Sequence, residues 1–246
     1  MDDDGGRTRA ALDRVAVAHG LDAGQVEALF RYVELIVGWD RANVTGLTDP
    51  AALVDTLLGD SLSLLGVVEL RRREGSAWLD LGAGAGVPGI PLAIARPGAR
   101  ITLLDAAKKK CAFLREAVRV TGLGDRADVV CARSERHASA GEPGREAYAV
   151  VLARAVSELG VLVELAAPLL APDGLLLASK TRRALKHEIA AADASASLCG
   201  LAQETPVLLP QSPLDDAACA VYRKVTPAPS WLPRREGMAV KRPLGG

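Results

Sequence analysis

The chain has 246 residues, enough for one large α/β domain or a domain carrying a short extra arm. Apolar residues make up 49% but aromatic ones only 3%, so the core must be built from Leu, Val, Ile and Ala, which suits strands buried on both faces. The 30 basic and 30 acidic residues cancel, which excludes a wholesale polyanion binder and confines any nucleic-acid contact to a local patch.

The chain opens Met1-Asp2-Asp3-Asp4, with no basic n-region or apolar h-region, so no signal peptide is read there. No uninterrupted apolar run is read as long as a membrane span, and the expectation is a cytosolic protein without a membrane partner. Residues 1–76 read as a helical extension packed on the core. A first helix runs from Arg7 to His19 and stops at Gly20; a second runs from Asp22 to Trp39. Asp22 and Gln25 have the spacing of a capping box, and Leu29, Val33, Ile36 and Val37 fall on one face. Asn43 to Asp49 is turn-rich. Pro50 opens a third helix through Leu57 and toward Leu65, and Arg71 to Ser76 is a polar linker.

From Ala77 the pattern changes to short apolar runs separated by helices. Strands are predicted at Ala77–Leu81, Ile101–Asp105, Ala127–Cys131, Tyr148–Ala153 and Leu175–Ser179. Helices fall before Ala95, over Lys108–Thr121, over Ser157–Leu170 and near Ala184–Leu198. Two late strands, near Pro206–Leu209 and Ala217–Val225, complete the set. Alternation at this spacing predicts an α/β fold with a Rossmann-like, doubly wound, mostly parallel sheet over residues 77–225. Residues 226–246 are Pro-rich and basic and read as a tail with little regular structure. Cys111, Cys131, Cys199 and Cys219 form no C-x-x-C pair and have no His at ligand spacing, so neither a metal site nor a disulfide framework is expected.

The segment Asp80-Leu-Gly-Ala-Gly-Ala-Gly-Val-Pro-Gly89 follows a strand and opens a helix, the context a nucleotide-binding turn needs. Glycine lets a backbone turn tightly and approach a ligand closely. The dinucleotide pattern G-x-G-x-x-G is not met, because its third glycine position is Val87; the run is G-x-G-x-G through Gly82, Gly84 and Gly86. S-adenosylmethionine, which has no phosphate, suits this variant. Asp80 can hold its ammonium directly or through water, amides of Gly82 to Gly86 can face its carboxylate, and Asp105 can accept its ribose hydroxyls. Asp105 alone does not separate this cofactor from NAD, where an acidic side chain has the same role. A turn that merely packs helix on strand is the plain alternative. Two aspartates at strand ends on one sheet edge favour a ligand.

Beyond this turn, Leu103-Leu104-Asp105 with the following basic run and Phe113-Leu114, Arg133-Ser134-Glu135, and Arg154-Ala155 follow in order. Trp39 with Asn43-Val44-Thr45, Asp60-Ser61-Leu62, and Pro233-Arg234-Arg235-Glu236-Gly237 with Lys241 flank them. Together these blocks resemble the bacterial glucose-inhibited-division family, class I S-adenosylmethionine-dependent methyltransferases that act on N7 of one guanosine in 16S ribosomal RNA. The resemblance implies that Gly82 and Val87 line the methionine end of the cofactor, that Ser134 and Glu135 border the adenine, and that Asp105 lies near the ribose. It implies that Arg154 sits beside cofactor and substrate, with Arg133 and Asn43 as further active-site candidates. Lys180, Arg234, Arg235 and Lys241 are expected to face the RNA or small ribosomal subunit, and the protein is expected to act as a monomer.

The pattern departs from the family at Asp40, Leu57, Thr181 and near Ala218, positions where the family carries Asn, His, Gly and a basic residue. These departures leave room for a related enzyme acting on another RNA or a small molecule, or for a non-catalytic RNA-binding module. An NAD-linked oxidoreductase is disfavoured by Val87 and by the lack of a hydride-site His or Tyr motif. Guanine N7 carries a free lone pair, so no dedicated base is needed. His19, His137 and His187 lie in no site motif.

Overall fold

The computed structural model describes residues 3–71 and 76–245; the middle of the polar linker, residues 72–75, lies outside the described residues. The extension begins with α1 (Asp3–His19) and α2 (Ala23–Gly38). The predicted capping box is present: the Gln25 amide donates to Asp22 Oδ1 at 2.9 Å and the Asp22 amide donates to Gln25 Oε1 at 2.8 Å. After α2 the chain runs through a turn-rich loop into α3 (Pro50–Leu53), capped by Asp49, whose Oδ2 accepts from the Ala52 amide. There the expected single helix is interrupted. Val54–Gly59 is a π-helical turn, followed by α4 (Asp60–Ser63) and α5 (Leu65–Leu70). The stretch Pro50–Glu69 is long and apolar enough by length and composition to cross a membrane, although Asp55 and Asp60 interrupt its apolar run. With 72% of it buried, it serves here as a core helix.

The sheet follows: β1 (Ala77–Leu81), α6 (Gly89–Ala95), β2 (Arg100–Asp105), α7 (Lys108–Val120), β3 (Ala127–Cys131), α8 (Ser134–His137), β4 (Tyr148–Arg154), α9 (Leu159–Ala166), β5 (Leu170–Thr181), α10 (Arg182–Cys199), β6 (Leu201–Leu208) and β7 (Ala217–Lys224). The strand order is β3-β2-β1-β4-β5-β7-β6, parallel from β3 to β5, with β7 antiparallel to both its neighbours. The order reverses between β1 and β4, so a crevice opens beyond their carboxyl ends, where ligands bind in such sheets.

Each sheet face has its own core. One is continuous with the extension: Leu12, Leu29, Tyr32 and Leu58 share a cluster with Ile90, Phe113 and Leu152. The arm is therefore fastened by apolar burial, worth about 1.5–3 kcal/mol per large side chain. Two polar links add direction. Gln25 Nε2 donates to the carbonyl of Ile94, and the Tyr32 hydroxyl donates to the carbonyl of Ala85 within the glycine-rich turn. The opposite face packs α9 and α10 on Leu79, Val151 and Leu176.

The tail is more ordered than expected. It ends in α11 (Met238–Lys241) and buries Leu232 and Ala239. Arg145 donates to the Leu232 carbonyl, Arg234 donates to both Glu164 oxygens at 2.6 and 2.5 Å, and Gly237 N donates to Glu135 Oε1 at 2.8 Å. Composition hid this, because the tail docks through hydrogen bonds and one ion pair rather than an amphipathic face.

Candidate active site

The glycine-rich turn connects β1 to α6, and Gly82, Gly84 and Gly86 all have positive φ, at 71°, 57° and 87°. At Gly82 a Cβ would also stand 3.0 Å from Val156. The expectation that the turn's amides face a ligand carboxylate needs correction. Gly82 N and Ala83 N donate to the Leu104 carbonyl, Gly84 N to Asp105 Oδ2, and Gly86 N to the Ala83 carbonyl. These four donors close the turn on itself and on β2, and they stiffen its backbone.

Two carboxylates frame the turn. Asp105 Oδ2 accepts from Gly84 N at 2.9 Å and Oδ1 from Ala107 N at 2.8 Å. Each oxygen keeps a lone pair for a further donor, and the residue lines a cavity with Gly82, Arg133, Ser134, Glu135 and Val156. Asp80 lies deeper, 1% exposed: Oδ2 accepts from Gly89 N at 2.9 Å, and Oδ1 is buried without a partner. Burial raises the Asp80 carboxyl to about 7; the Gly89 hydrogen bond opposes this, nearby Asp105 adds to it, and Arg154 opposes it. A buried acceptor without a donor is costly unless a ligand or water supplies one.

These groups fit S-adenosylmethionine in chemistry. Asp80 supplies an orphan acceptor for a cationic amine, Asp105 two acceptors for vicinal hydroxyls, and Ser134 and Glu135 a polar border, with Ser134 Oγ donating to Glu135 Oε2 at 3.1 Å. The cavity is narrow, about 110 Å³. Pockets for drug-sized ligands run roughly 300–1,000 Å³. Seating a whole nucleoside requires its walls, Val156 and the tail residues Gly237 and Val240 among them, to part. Val87 lies outside this lining and packs on the arm's core instead.

A second cavity, about 240 Å³, is lined by Asp60, Arg154, Ala155, Ser179, Lys180 and Thr181, with Leu214 and Ala217 completing it. The two cavities meet along the end of β4: Arg154 and Ala155 line one, and Val156 lines the other. Arg154 Nε donates to Asp60 Oδ2 at 2.8 Å, and its other nitrogen NH2 donates to the Thr56 carbonyl at 3.4 Å. Asp60 Oδ1 accepts from Ser212 Oγ at 2.7 Å, so three distant segments converge on one carboxylate. Sequence reasoning gave Asp60 no role. The available signal was a lone carboxylate within the apolar run of Leu57, Leu58 and Leu62, because buried charges are rare without a partner.

Other candidates move. Lys180 Nζ donates to the Ser157 carbonyl at 2.8 Å and to Glu188 Oε2 at 2.7 Å, and Arg234 is bound to Glu164. Both expected RNA contacts are thus committed to internal ion pairs. Asn43 is exposed in the loop after α2 and lines neither cavity. Arg133, Arg235 and Lys241 are exposed. Among the described residues no cluster of metal-ligating side chains occurs.

The sheet order, the turn and the paired aspartates define a class I methyltransferase fold. The structure superposes on a SAM-dependent methyltransferase from Aquifex aeolicus with a TM-score of 0.55 at 16% identity, covering 76% of this chain and 100% of that one. It also superposes on a predicted O-methyltransferase from Agrobacterium tumefaciens with a TM-score of 0.51 at 19% identity, covering 69% and 80%. Sequence comparison goes further. Residues 25–212 match the family described as rRNA small subunit methyltransferase G. The ribosomal RNA small subunit methyltransferase G of Pelotomaculum thermopropionicum is 38% identical over 89% of this chain and 91% of its own. That of Chloroflexus aggregans is 37% identical over 97% and 99%. The chain belongs to the rRNA small subunit methyltransferase G family, and it is a methyltransferase that uses S-adenosylmethionine.

Proposed function

We propose that this enzyme methylates N7 of one guanosine of 16S ribosomal RNA in the small ribosomal subunit, acting as a monomer in the cytoplasm where its substrate is. The observation that carries this reading is the adjacency of the two cavities along the chain, Arg154 and Ala155 lining one and the next residue, Val156, lining the other, which brings a base in one close to a nucleoside in the other. Bound S-adenosylmethionine supplies an electrophilic methyl group. The chain's own residues then have three tasks. Asp80, Asp105, Ser134 and Glu135 hold the cofactor's polar groups. Arg154, fixed by Asp60, orients the acceptor base. Val156 and the tail exclude water. Because N7 offers a lone pair without losing a proton, no residue acts as a general base, and positioning carries the rate; it can supply roughly 7–11 kcal/mol. The exposed Arg133, Arg235 and Lys241 carry the contact to RNA phosphates around the cavity mouth.

Incubating the protein with labelled S-adenosylmethionine and small subunits lacking 7-methylguanosine, then digesting the RNA, tests the reading. Label in 7-methylguanosine is expected. Label in another nucleoside, or none despite measurable cofactor binding, overturns the substrate assignment. Charge-removing substitutions at Arg235 and Lys241 are each expected to reduce the slope of log affinity against log salt by about 1.

A further inference from the structure

The second cavity contains more chemistry than orienting one arginine requires. Asp60 is 3% exposed and lines the cavity. An ionised carboxylate offers about four lone-pair sites, and the two hydrogen bonds to Asp60, from Arg154 and Ser212, leave capacity on each oxygen. Ser179 Oγ lies at the end of β5 in the same cavity, buried and without a partner. The wall thus presents an acceptor pair (Asp60), a donor (Arg154) and an idle hydroxyl (Ser179), and Ala155 leads directly to the cofactor cavity.

We propose that this cavity is the pocket for the flipped-out acceptor base and that Asp60 selects guanine by accepting from its N1–H and 2-amino groups. The inference rests on the proposed guanosine substrate. Enzymes that act on a base commonly take it unpaired or flipped out of the stack and read its Watson–Crick edge. Guanine presents two adjacent donors on its Watson–Crick edge, next to the O6 acceptor. Adenine presents an acceptor at N1, which a carboxylate repels. Asp60 therefore discriminates by charge as well as by hydrogen-bond count, while Arg154 and Ser179 serve O6. With the Watson–Crick edge turned to Asp60, the N7 edge is left for the cofactor side. Leaving one partner of a buried hydrogen-bonded site empty is what makes such recognition selective.

The test pairs a base change with a protein change. Small subunits are reconstituted with 16S RNA carrying guanosine or inosine at the acceptor position; inosine lacks only the 2-amino group. The wild-type protein is expected to prefer guanosine by about 10-fold in kcat/KM, and Asp60→Asn to lose most of that preference. If Asp60 only positions Arg154, Asp60→Asn slows both substrates alike and keeps the ratio, and the proposal falls. Should Asp60→Asn not fold, Ser179→Ala decides. Removal of an idle hydroxyl leaves kcat/KM unchanged, whereas removal of a base contact lowers it several-fold on both substrates with an unchanged melting temperature. Absence of 7-methylguanosine with the wild-type protein on guanosine subunits overturns the substrate reading itself. Label in 7-methylguanosine with an unaltered ratio in Asp60→Asn, or with an inert Ser179→Ala where Asp60→Asn does not fold, overturns this inference alone.

Discussion

The two cavities flanking the end of β4 are built in opposite ways. The cofactor cavity rests on main chain: a turn of three positive-φ glycines, closed by its own amides, with Asp80 and Asp105 hydrogen-bonded to backbone N–H groups. The base cavity rests on side chains from separate segments, Arg154 with Asp60 and Asp60 with Ser212. A cavity of the first kind tolerates changes of side chain and fails when a glycine gains one. A cavity of the second kind keeps its backbone and loses its function with a single polar group.

The largest expected effect follows from the second kind. Arg154→Ala removes the donor that we propose faces the base, and turnover on small subunits is expected to fall by about 100-fold or more, the range for loss of one preorganised donor. Arg133→Lys, at an exposed position that keeps its charge, is expected to cost a few-fold at most. Equal losses in a methylation assay would remove the distinction between the two arginines. Cofactor affinity should fall far less in Arg154→Ala, since Arg154 does not line the cofactor cavity and acts on it only through its charge near Asp80.

Gly89→Ala probes the main-chain cavity. A Cβ there would lie 2.7 Å from Asp80 Oδ2, 2.8 Å from Leu103 Cδ2 and 2.9 Å from Ile101 Cδ1. These are side-chain tips on β1 and β2, all buried, so they yield only by repacking the core around them. Overpacking of this kind costs about 1–3 kcal/mol, and it displaces the amide that holds Asp80. Cofactor affinity, by calorimetry, and melting temperature should fall together. A melt that drops with unchanged affinity would separate Asp80 from cofactor binding.

The same contrast explains what the sequence could reveal. The turn, both aspartates, and Ser134 with Glu135 are consecutive or end adjacent strands, so local pattern and strand order locate them. Strand assignments succeeded where apolar runs were largely buried, as over Ala77–Leu81 and Tyr148–Ala153, and also at the half-exposed edge strand Ala127–Cys131. The meeting of Asp60 with Ser212 was illegible, because it depends on how the arm and the β6–β7 loop pack, across 152 residues of sequence. The π turn over Val54–Gly59 had no visible marker either, since its residues suit an ordinary helix. Lys180 and Arg234 read as free charges because a sequence does not show that Glu188 and Glu164 lie beside them.

A smaller effect is expected at the tail, which adds a third style of construction, polar docking over a main-chain cavity. Arg234→Met breaks the pair with Glu164, a residue 2% exposed. Breaking a buried pair costs about 3–5 kcal/mol when the remaining charge stays buried. Here the loss is capped by the docking energy of the tail, because a detached tail lets water reach Glu164. Hydrogen exchange over residues 228–245 should therefore accelerate while the global melting temperature holds. Cofactor affinity should weaken a few-fold, since Gly237 and Val240 line its cavity. A large drop in global stability would mean that the tail belongs to the core's cooperative unit.

The smallest effect is a pH dependence at Asp80, the buried carboxylate beneath the cofactor cavity. Its carboxyl is raised from the ordinary 3.8 to about 7, chiefly by burial. The folded protein without cofactor therefore holds a proton that the unfolded chain has released. By linkage, Asp80's own contribution to stability is fully present below about 4 and is lost as pH rises toward 7. Cofactor binding has the opposite sign. An ammonium partner favours the ionised carboxylate, so affinity should tighten as pH rises from 6 to about 8, with the proton released on binding. Asp80→Asn should flatten both slopes, with calorimetry in buffers of different ionisation enthalpy counting the proton. If the affinity slope persists in Asp80→Asn, the titrating group lies elsewhere and Asp80 only anchors Gly89. The cofactor cavity would then be main-chain built throughout, and its contrast with the side-chain cavity across β4 would be sharper still.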